Sequence, residues 1–597
     1  MKSPMICALA TLVVTTGAGL ANAGCTLTKF ADLPVTMQGL RATIPTQLDG
    51  VDAIFAIDTG AFYTSLSAAS AERLHLKLRA APADKDVIEG IGGDAQVYLT
   101  TVKVFSLGAA KFHGFSLIVG GSEYGNEVVG LFGQNVLIGA DLEFDFANGA
   151  MRVFRTSDCG GQMLAYWDTN QPYSVIDTSP TTHESPWITS TATVNGVTMR
   201  VLFDTGFPQS YLSLDAAKRA GIDPHGPGVV DGGATGGIGR GALATWIAPV
   251  ASFKIGDEEI KNTHLRIADG SMLGHDMVLG ADFFLSHRIF SAGSQQKLYF
   301  TYNGGPVFDL NHASENDRPG ASSLALAPAP TATSQSGGGS VPTDAQGFAR
   351  RGAAHTSRGD YPDAVADLTR AIDLDPADAD YRYARAMAYL GSRQAVLARA
   401  DLDRALEITP AYVPALMARA QLRLAMGSEA EALVDLHAAD RAAPPAADGR
   451  LELGALFTEA DAEDAAVNDL DLWINSHLED AKRPEGLGER CWARALAGQL
   501  LDKALADCNV ALGLWPKDAA VLDSRGLVHL RLGDLDRAIA DYDAALALNP
   551  KLAWSLYGRG VAKIKKGNAV AGNVDITAAL AVQANIATKA KAHGIGG

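Results

Sequence analysis

The chain has 597 residues, which is too long for a single hydrophobic core, so several domains are expected. Hydrophobic residues make up 47% of it and charged residues 20%, the balance of a folded soluble protein. The formal net charge of −17 argues against nucleic acid or an anionic membrane surface as a main partner, because both select for basic faces.

The first residues have the pattern of an export signal. A positively charged start precedes a short apolar stretch at 6–14, and Ala21-Asn22-Ala23 forms a small-residue cleavage site. The apolar stretch is too short to span a bilayer. We therefore expect residues 1–23 to be removed and the mature protein to be periplasmic or secreted.

Two segments that follow resemble each other. In each, an apolar strand runs into Asp-Thr-Gly, at 58–60 and at 204–206, and a short Ala-rich helix comes next. Downstream of each lies a glycine-rich stretch, Gly90-Ile91-Gly92-Gly93 in the first copy and Gly236-Gly237-Ile238-Gly239 in the second.

Each copy then closes on two apolar residues and a glycine, Leu131-Phe132-Gly133 and Val278-Leu279-Gly280. Slightly shifted, Gly139-Ala140-Asp141 also looks like Gly280-Ala281-Asp282, and we interpret both aspartates as strand-end or cap residues. The offset of 146 residues between the two Asp-Thr-Gly motifs leaves room for one all-β lobe per copy. We place the lobes at 24–160 and 161–308.

Residues 309–343 are rich in Ala, Pro, Ser and Gly and have no periodicity. Such a stretch cannot bury enough apolar surface to offset its ordering entropy, so we interpret it as a disordered, flexible linker.

From 344 to 597 the sequence repeats with a helical period. Prolines recur every 34 residues at 376, 410 and 444, and again at 516 and 550, with small residues in step. The segment 448–484 is irregular. The repeat resembles the tetratricopeptide (TPR) family, in which paired helices stack into a solenoid whose concave face can hold a peptide.

Four cysteines remain after residue 23, an even number that suits an oxidising compartment. Cys25 precedes the first lobe and Cys159 follows it, so a bridge could tie its ends together. Cys491 and Cys508 lie on neighbouring predicted helices and could pair or simply pack. Cys25 could instead carry a lipid, although the residue three before it is not the leucine that a bacterial lipoprotein signal normally has.

The duplicated motif with its flanking elements is similar to the retropepsin and pepsin clan of aspartic proteases, over roughly residues 30–302. The resemblance implies a multidomain protein, with an all-β bilobal protease fold of two retropepsin-like lobes followed by the all-α TPR solenoid. It implies that Asp58 and Asp204 form an intramolecular catalytic dyad, as in a single-chain pseudo-dimer. Thr59 and Thr205 would lock the two loops together.

By the same resemblance, Gly60 and Gly206 permit the tight turns of the two loops. The glycine-rich stretches 90–93 and 236–239 would be flaps that cover a substrate. Family members often place Ser or Thr after Asp-Thr-Gly, whereas this chain has Ala61 and Phe207.

The family cleaves peptide bonds with a water activated by the dyad, without a metal, cofactor or covalent intermediate. The scattered histidines have no ligand spacing, and no metal site or cofactor is expected. We therefore expect an aspartic endopeptidase, monomeric, whose TPR array recruits a protein substrate or partner. The alternative is a noncatalytic scaffold in which both parts only bind peptides.

Overall fold

The structure is a computed structural model that describes residues 25–596, and within that range the undescribed positions are 83–86, 91–92, 122–127, 168–172, 183–184, 236–242, 271–273, 309, 311–340 and 479. Residues 1–23 and nearly all of the expected linker lie outside the described residues. Two compact units can be separated, one ending at Ile408 and the other beginning at Thr409.

In its described residues, the first lobe contains thirteen strands and one short α-helix: β1 (Thr26–Pro34), β2 (Thr36–Gln38), β3 (Arg41–Leu48), β4 (Val51–Ile57), β5 (Ser65–Leu66), α1 (Ala68–Arg73), β6 (Arg79–Ala80), β7 (Val87–Gly90), β8 (Gly93–Gln96), β9 (Tyr98–Leu107), β10 (Ala110–Val119), β11 (Val128–Phe132), β12 (Asp141–Asp145) and β13 (Ala150–Ser157).

The second lobe follows with these elements: β14 (Ser174–Asp177), β15 (Thr189–Val194), β16 (Val197–Phe203), β17 (Tyr211–Ser213), α2 (Leu214–Arg219), β18 (Val230–Thr235), β19 (Leu243–Ile255), β20 (Glu258–Ala268), β21 (Met277–Leu279), α3 (Ala281–Ser286), β22 (His287–Ala292) and β23 (Lys297–Tyr302).

The two lobes repeat one topology. The first has the strand order β3-β4-β11-β5-β10-β9-β6 with β2 added at the edge, and the second has β15-β16-β21-β17-β20-β19-β18. Further pairings of β3 with β9 and of β15 with β19 close each into a six-stranded barrel. The duplicated sequence therefore corresponds to a duplicated barrel.

The strands that lead into the two Asp-Thr-Gly motifs are anchored by alternate apolar residues. In β16, Met199, Val201 and Phe203 have no exposed surface, and in β4 Phe55 and Ile57 are likewise fully buried. Because side chains in a strand alternate between its faces, this period of two fixes which face of each strand meets the barrel core.

A six-stranded sheet shared by both lobes joins them, in the order β1-β13-β12-β22-β23-β14. At its centre β12 of the first lobe pairs antiparallel with β22 of the second, with Leu142 opposite Ser291 and Phe144 opposite Ile289. A disulfide between Cys25 and Cys159 lies beside the β1 edge of this sheet.

A buried charge cluster crosses the same strand pair. Glu143 has no exposed side-chain surface and binds Arg288 of the second lobe (Oε1 to Nη2 2.7 Å) and Arg152 of the first (Oε1 to Nη1 2.6 Å). The Tyr166 hydroxyl donates to its other oxygen, at 2.5 Å. Removing one partner from such a buried pair leaves an uncompensated charge, so each lobe depends on the other here.

Over the part of the array that the structure describes there are fifteen helices: α4 (Ala345–Ser357), α5 (Tyr361–Leu374), α6 (Ala379–Gly391), α7 (Ala395–Ile408), α8 (Val413–Ala425), α9 (Glu429–Ala442), α10 (Arg450–Glu459), α11 (Glu463–Ser476), α12 (Arg483–Ala497), α13 (Leu501–Leu514), α14 (Ala519–Leu532), α15 (Leu535–Leu548), α16 (Ala553–Lys565), α17 (Ala569–Val582) and α18 (Ile586–Ala592). The irregular segment is thus still helical, with α10 shorter than its neighbours. In the second unit, Cys491 and Cys508 form a disulfide between α12 and α13.

The first unit contains the lobes together with α4–α7. The reason is that α4 packs on the first lobe. Ala354 is fully buried in the hydrophobic cluster that includes the barrel cores. Gly149 lets Arg350 pass closely, since a Cβ there would lie 2.7 Å from the Arg350 Cβ.

Within helix pairs of the array, an arginine of the first helix binds an aspartate of the second at a constant spacing. The pairs 16 residues apart are Arg351–Asp367, Arg385–Asp401, Arg419–Asp435, Arg525–Asp541 and Arg559–Asp575. Each aspartate receives both the Nε and an Nη donor, the bidentate geometry that planar guanidinium groups favour.

We expect Asp435→Asn to lower the free energy of unfolding by about 3 kcal/mol, because it breaks a largely buried ion pair. Asp435 is 1% exposed and receives hydrogen bonds from both Arg419 and Arg423, which would be left without a carboxylate. Urea denaturation followed by helical circular dichroism measures this. Glu407→Gln is the control, because its pair with Arg404 is exposed; equal losses in both variants would contradict the prediction.

Candidate active site

The two Asp-Thr-Gly loops meet between the lobes at the ends of matching strand pairs. β4 runs parallel to β11, and β16 runs parallel to β21. Just beyond each pair, the Asp58 N–H donates to the Phe132 carbonyl (3.1 Å), and the Asp204 N–H donates to the Leu279 carbonyl (2.9 Å). Each aspartate is therefore fixed through its main chain to the core of its own barrel.

Thr59 and Thr205 exchange hydrogen bonds across the lobe boundary. The Thr59 N–H donates to Thr205 Oγ1 (3.1 Å), and the Thr205 N–H donates to Thr59 Oγ1 (3.0 Å). Each hydroxyl in turn donates to the opposite strand, Thr59 to the Phe203 carbonyl (2.9 Å) and Thr205 to the Ile57 carbonyl (2.8 Å). Both threonines are buried, so these four bonds are shielded from water.

Gly60 and Gly206 each face the aspartate of the other lobe. A Cβ on Gly60 would lie 2.0 Å from Asp204 Oδ2, and one on Gly206 would lie 2.4 Å from Asp58 Cγ. Neither position can hold a side chain without separating the two loops. The glycines are thus required by the close approach of the lobes as well as by the turn.

The carboxyl groups of Asp58 and Asp204 lie within hydrogen-bonding reach of each other. The Gly60 N–H lies within hydrogen-bonding distance of both, 2.9 Å from Asp58 Oδ1 and 3.0 Å from Asp204 Oδ1. Asp204 is 3% exposed, whereas Asp58 is partly exposed. The structure therefore brings the two predicted catalytic residues together.

Burial raises the pKa of Asp58 above its ordinary value, against the lowering effect of the hydrogen bond from Asp204 and of two main-chain donors. Burial also raises the pKa of Asp204, and the negative charge of Asp58 raises it well above the ordinary value. Two carboxylates in contact cannot both ionise, so the pair holds one proton over a wide pH range.

The loops differ in their second main-chain donor. The Ala61 N–H donates to Asp58 Oδ1 (2.7 Å), but the equivalent Phe207 N–H donates to the main-chain oxygen of Asp204 (3.2 Å). The Phe207 ring packs edge-on against Tyr211 at 5.9 Å, in an apolar cluster of the second lobe. Phe207 therefore leaves the loop exchange intact while withholding one donor from Asp204.

A second polar layer, which sequence reasoning missed, supports the loops from behind. Asn135 Oδ1 accepts from the N–H and the hydroxyl of Thr64, both at 2.8 Å. In the second lobe Asp282 accepts in the same way from Ser210, at 3.0 Å from its N–H and 2.7 Å from its hydroxyl. The structural partner of Asp282 is thus Asn135, six residues before the Asp141 that the motif comparison paired with it.

The true equivalence follows from counting onward from the motif, because Thr64 and Ser210 both lie six residues after the aspartate. Asp141 instead binds Ser294 and Thr156 in the shared sheet. The chemical similarity of Gly139-Ala140-Asp141 to the second-lobe motif concealed this offset.

One lobe contact lies directly beside the dyad. The Trp187 indole N–H donates to the Gly60 carbonyl at 2.8 Å, and its ring packs with Phe207 against the apolar cluster around Tyr211. No sequence motif marks Trp187.

The two predicted flap segments fall only partly within the described residues. β7 and β8 form a two-stranded hairpin in which Gly90 pairs with Gly93. Ile91, Gly92 and the whole second stretch Gly236-Gly237-Ile238-Gly239 lie outside the described residues.

Over the described ranges, no group of three or more His, Cys, Asp or Glu side chains is arranged to hold a metal ion. In the same ranges, no helix has both the length and the apolar composition to cross a membrane.

Comparison with protein families assigns both halves of the site. Residues 44–138 match the gag-polyprotein aspartyl protease family, and residues 190–283 match the aspartyl protease family. Residues 352–392 and 526–567 match TPR repeats. The chain thus carries two retropepsin-like aspartyl protease domains and a TPR array. No curated protein matches it.

The chain is also similar to several solved TPR structures. One is a tetratricopeptide repeat protein from Parabacteroides merdae ATCC 43184, with 17% identity over 42% of this chain and 98% of that chain and a TM-score of 0.34. Others are the APC/C hetero-tetramer Cut9-Hcn1 (18%, 42% and 48%, 0.32) and YrrB, described as a TPR protein with an unusual peptide-binding site (17%, 38% and 97%, 0.21). At these identities the likeness concerns the fold alone.

The raised pKa of Asp204 predicts a pH-dependent stability difference for Asp204→Asn. A buried carboxyl whose folded pKa lies above its unfolded value stabilises the fold below the unfolded pKa and loses that contribution as pH rises through the folded pKa. Asparagine stays neutral and can still accept at Oδ1. The variant should therefore melt several degrees above wild type at about pH 8 and should lose that advantage towards about pH 4.

Differential scanning calorimetry across that pH range measures the effect. Asp215→Asn is the matched control, because Asp215 is an exposed carboxylate of the same lobe. A melting difference independent of pH would contradict the raised pKa of Asp204.

Proposed function

We propose that the protein is an exported aspartic endopeptidase that forms its dyad within one chain, and that its TPR array recruits a protein substrate or partner. The observation that carries the proposal is the close approach of the Asp58 and Asp204 carboxyl groups, which share the Gly60 N–H and are held in place by the exchange between Thr59 and Thr205. A binding module has little use for two carboxyl groups in contact.

The dyad can act as paired base and acid. The ionised carboxylate takes a proton from a water molecule, which attacks the carbonyl carbon of the peptide bond. The protonated carboxyl donates a hydrogen bond to the carbonyl oxygen as that oxygen gains charge. As the tetrahedral intermediate collapses, the leaving nitrogen takes the proton that the base removed from water, and the pair is again left with a single proton.

The donors around the pair support one division of these roles. Asp58 receives hydrogen bonds from two N–H groups of its own loop, Gly60 and Ala61, which favour its ionised form. Asp204 is more deeply buried; it receives one hydrogen bond from its own loop, Gly206 at 2.9 Å, and shares the Gly60 N–H with Asp58 at 3.0 Å. Asp58 is therefore the base of the resting enzyme, and Asp204 holds the proton.

An extended peptide is the substrate shape that the lobes support. The β7–β8 hairpin stands in the position along the chain of a flap, and a strand pair of this kind can add a substrate by main-chain hydrogen bonds. The repeat family of the array supports binding of a protein or peptide as well.

Export is supported by two features. The first 23 residues have the composition of a signal segment, and both disulfides, Cys25–Cys159 and Cys491–Cys508, suit an oxidising compartment such as the periplasm.

A noncatalytic peptide-binding role is the second candidate. It is favoured by Trp187, whose indole N–H donates to the Gly60 carbonyl beside the dyad, and by Phe207, which has no hydroxyl to donate to the pair. The variants below distinguish the two candidates.

Asp58→Asn and Asp204→Asn should each lower kcat/KM for an unfolded protein substrate by at least about a hundredfold, because each removes one half of the acid–base pair. Fluorescent-labelled casein is a suitable substrate. Asp215→Asn, the exposed carboxylate of the second lobe, should cleave like wild type. Full activity of Asp204→Asn would exclude the single-chain dyad, and an inactive wild type that still binds the substrate would favour the noncatalytic role.

The pH profile should be bell-shaped with an optimum between about pH 5 and 7. Activity needs one proton on the pair, and burial raises the pKa at which Asp204 loses it, so the alkaline limb lies above the ordinary carboxyl range. The double variant Ala61→Ser with Phe207→Ser adds hydroxyl donors to the ionised form and should move that limb to lower pH. An unmoved limb, or a wild-type optimum near about pH 3, would contradict this origin of the acidity.

A further inference from the structure

The described chain ends in a short helix that reaches far back into the array. We call residues 586–596, which comprise α18 and the residues after it, the tail segment. Within it Ile586 and Ala590 have no exposed surface, and Ile595 is 5% exposed. All three belong to the hydrophobic cluster of the second unit.

The tail segment turns inward at a helix-ending motif. The Gly594 N–H donates to the Lys591 carbonyl (3.0 Å), and the Ile595 N–H donates to the Ala590 carbonyl (2.8 Å). Gly594 has φ +70°, the left-handed conformation that closes a helix in this way. The motif directs Ile595 back towards the array.

Ile595 enters an aromatic crevice formed by four helices. Its lining residues come from α12, α14, α15 and α16: Trp492, Asp523, Leu527, Tyr542, Trp554, Tyr557 and Gly558. We call this surface the array groove. At its floor the Asp523 carboxyl accepts from the Ser555 hydroxyl at 2.6 Å, so the groove combines aromatic walls with a buried polar group.

His593 fixes the other end of the contact. Its Nδ1 lies 3.0 Å from Glu463 Oε1, and its Nε2 lies 3.4 Å from Asp461 Oδ1. Its carbonyl accepts from Arg531 at 2.6 Å, and the same guanidinium nitrogen donates to the Leu496 carbonyl. The array therefore binds three groups of the tail segment separately: the His593 carbonyl through Arg531, the His593 imidazole through Glu463 and Asp461, and the Ile595 side chain in the aromatic crevice.

These contacts exceed what a capping helix needs. A terminal cap in a repeat protein covers the last repeat, because each repeat contacts only its neighbours. Here Asp461 lies in the turn between α10 and α11, and Glu463 is the first residue of α11; both come more than a hundred residues before His593 in sequence. The tail segment crosses the array in the way a bound peptide would.

We propose that the array groove is a peptide-binding site and that the tail segment is its built-in occupant. The partner it fits is a protein segment with an imidazole or cationic side chain two residues before an aliphatic one. Such a segment must displace the tail, so the tail sets a threshold for partner binding. The proposal deepens the recruiting role proposed for the array and does not depend on catalysis by the dyad.

Competition with a synthetic peptide tests the proposal. The probe is a fluorescein-labelled peptide with the sequence of residues 586–596, and its anisotropy is followed as full-length protein is added. All proteins carry Asp204→Asn, so that the dyad cannot cleave the probe. Ile595→Asp and His593→Ala release the tail, and Lys591→Ala is the matched control, because Lys591 is exposed in the same segment.

The tail-released variants should bind the probe at least about tenfold more tightly than the Lys591→Ala control, because an intramolecular competitor raises the apparent Kd. Adding Glu463→Gln with Asp461→Asn to Ile595→Asp should weaken binding again. A probe with His and Ile both replaced by Ser should not bind. If circular dichroism shows that Ile595→Asp is unfolded, His593→Ala decides, because it removes only the ion pairs at the end.

Binding of the probe to the control as tightly as to the released variants would overturn the tail as competitor while leaving recruitment by the array intact. Folded released variants that bind no probe would overturn the groove as a peptide site. A concentration-dependent dimer in sedimentation, lost in Ile595→Asp, would show that the tail serves a second copy of the chain, which also overturns the proposal.

Discussion

The exchange of four hydrogen bonds between Thr59 and Thr205 is the constraint on which the candidate site depends. Each threonine uses both its N–H and its hydroxyl across the boundary, so neither loop can shift alone without leaving buried polar groups unpaired. Asp58 and Asp204 directly precede these threonines in sequence, so the bonded threonines bring the two carboxyl groups together. The barrels hold each loop in place, but the threonine hydrogen bonds set the distance between the two loops.

Much of this arrangement could be predicted from local patterns. A three-residue motif after an apolar strand, repeated at equivalent distances from the closing glycines, is enough to indicate two matching lobes. The 34-residue spacing of proline and small residues likewise indicates paired helices, since it marks where helices cross and end. The Asp-Thr-Gly motif and the 34-residue repeat can both be recognised because each is required by the local backbone geometry of its fold.

What could not be predicted involves partners distant in sequence. The shared sheet pairs strands that are far apart in sequence, such as β1 with β13 and β14 with β23. No sequence pattern in β1 or β14 indicates which strand pairs with it. The Arg–Asp pairs of the array could have been predicted, because Arg351 and Asp367 have counterparts one repeat later in the sequence. The pattern is easily overlooked, since charged residues on helices are usually assumed to be exposed to solvent. Trp187 and the tail segment carry no motif, so only the three-dimensional structure relates them to Gly60 and Glu463.

The buried cluster around Glu143 has a consequence for how such a protein can assemble. Two copies of the first lobe, paired with each other instead of with the second lobe, would bring two Glu143 carboxylates into one sheet but no Arg288, which the second lobe provides. Arg152 alone would then face each carboxylate. The duplicated halves have thus become complementary, and the surface that joins them discriminates against self-pairing.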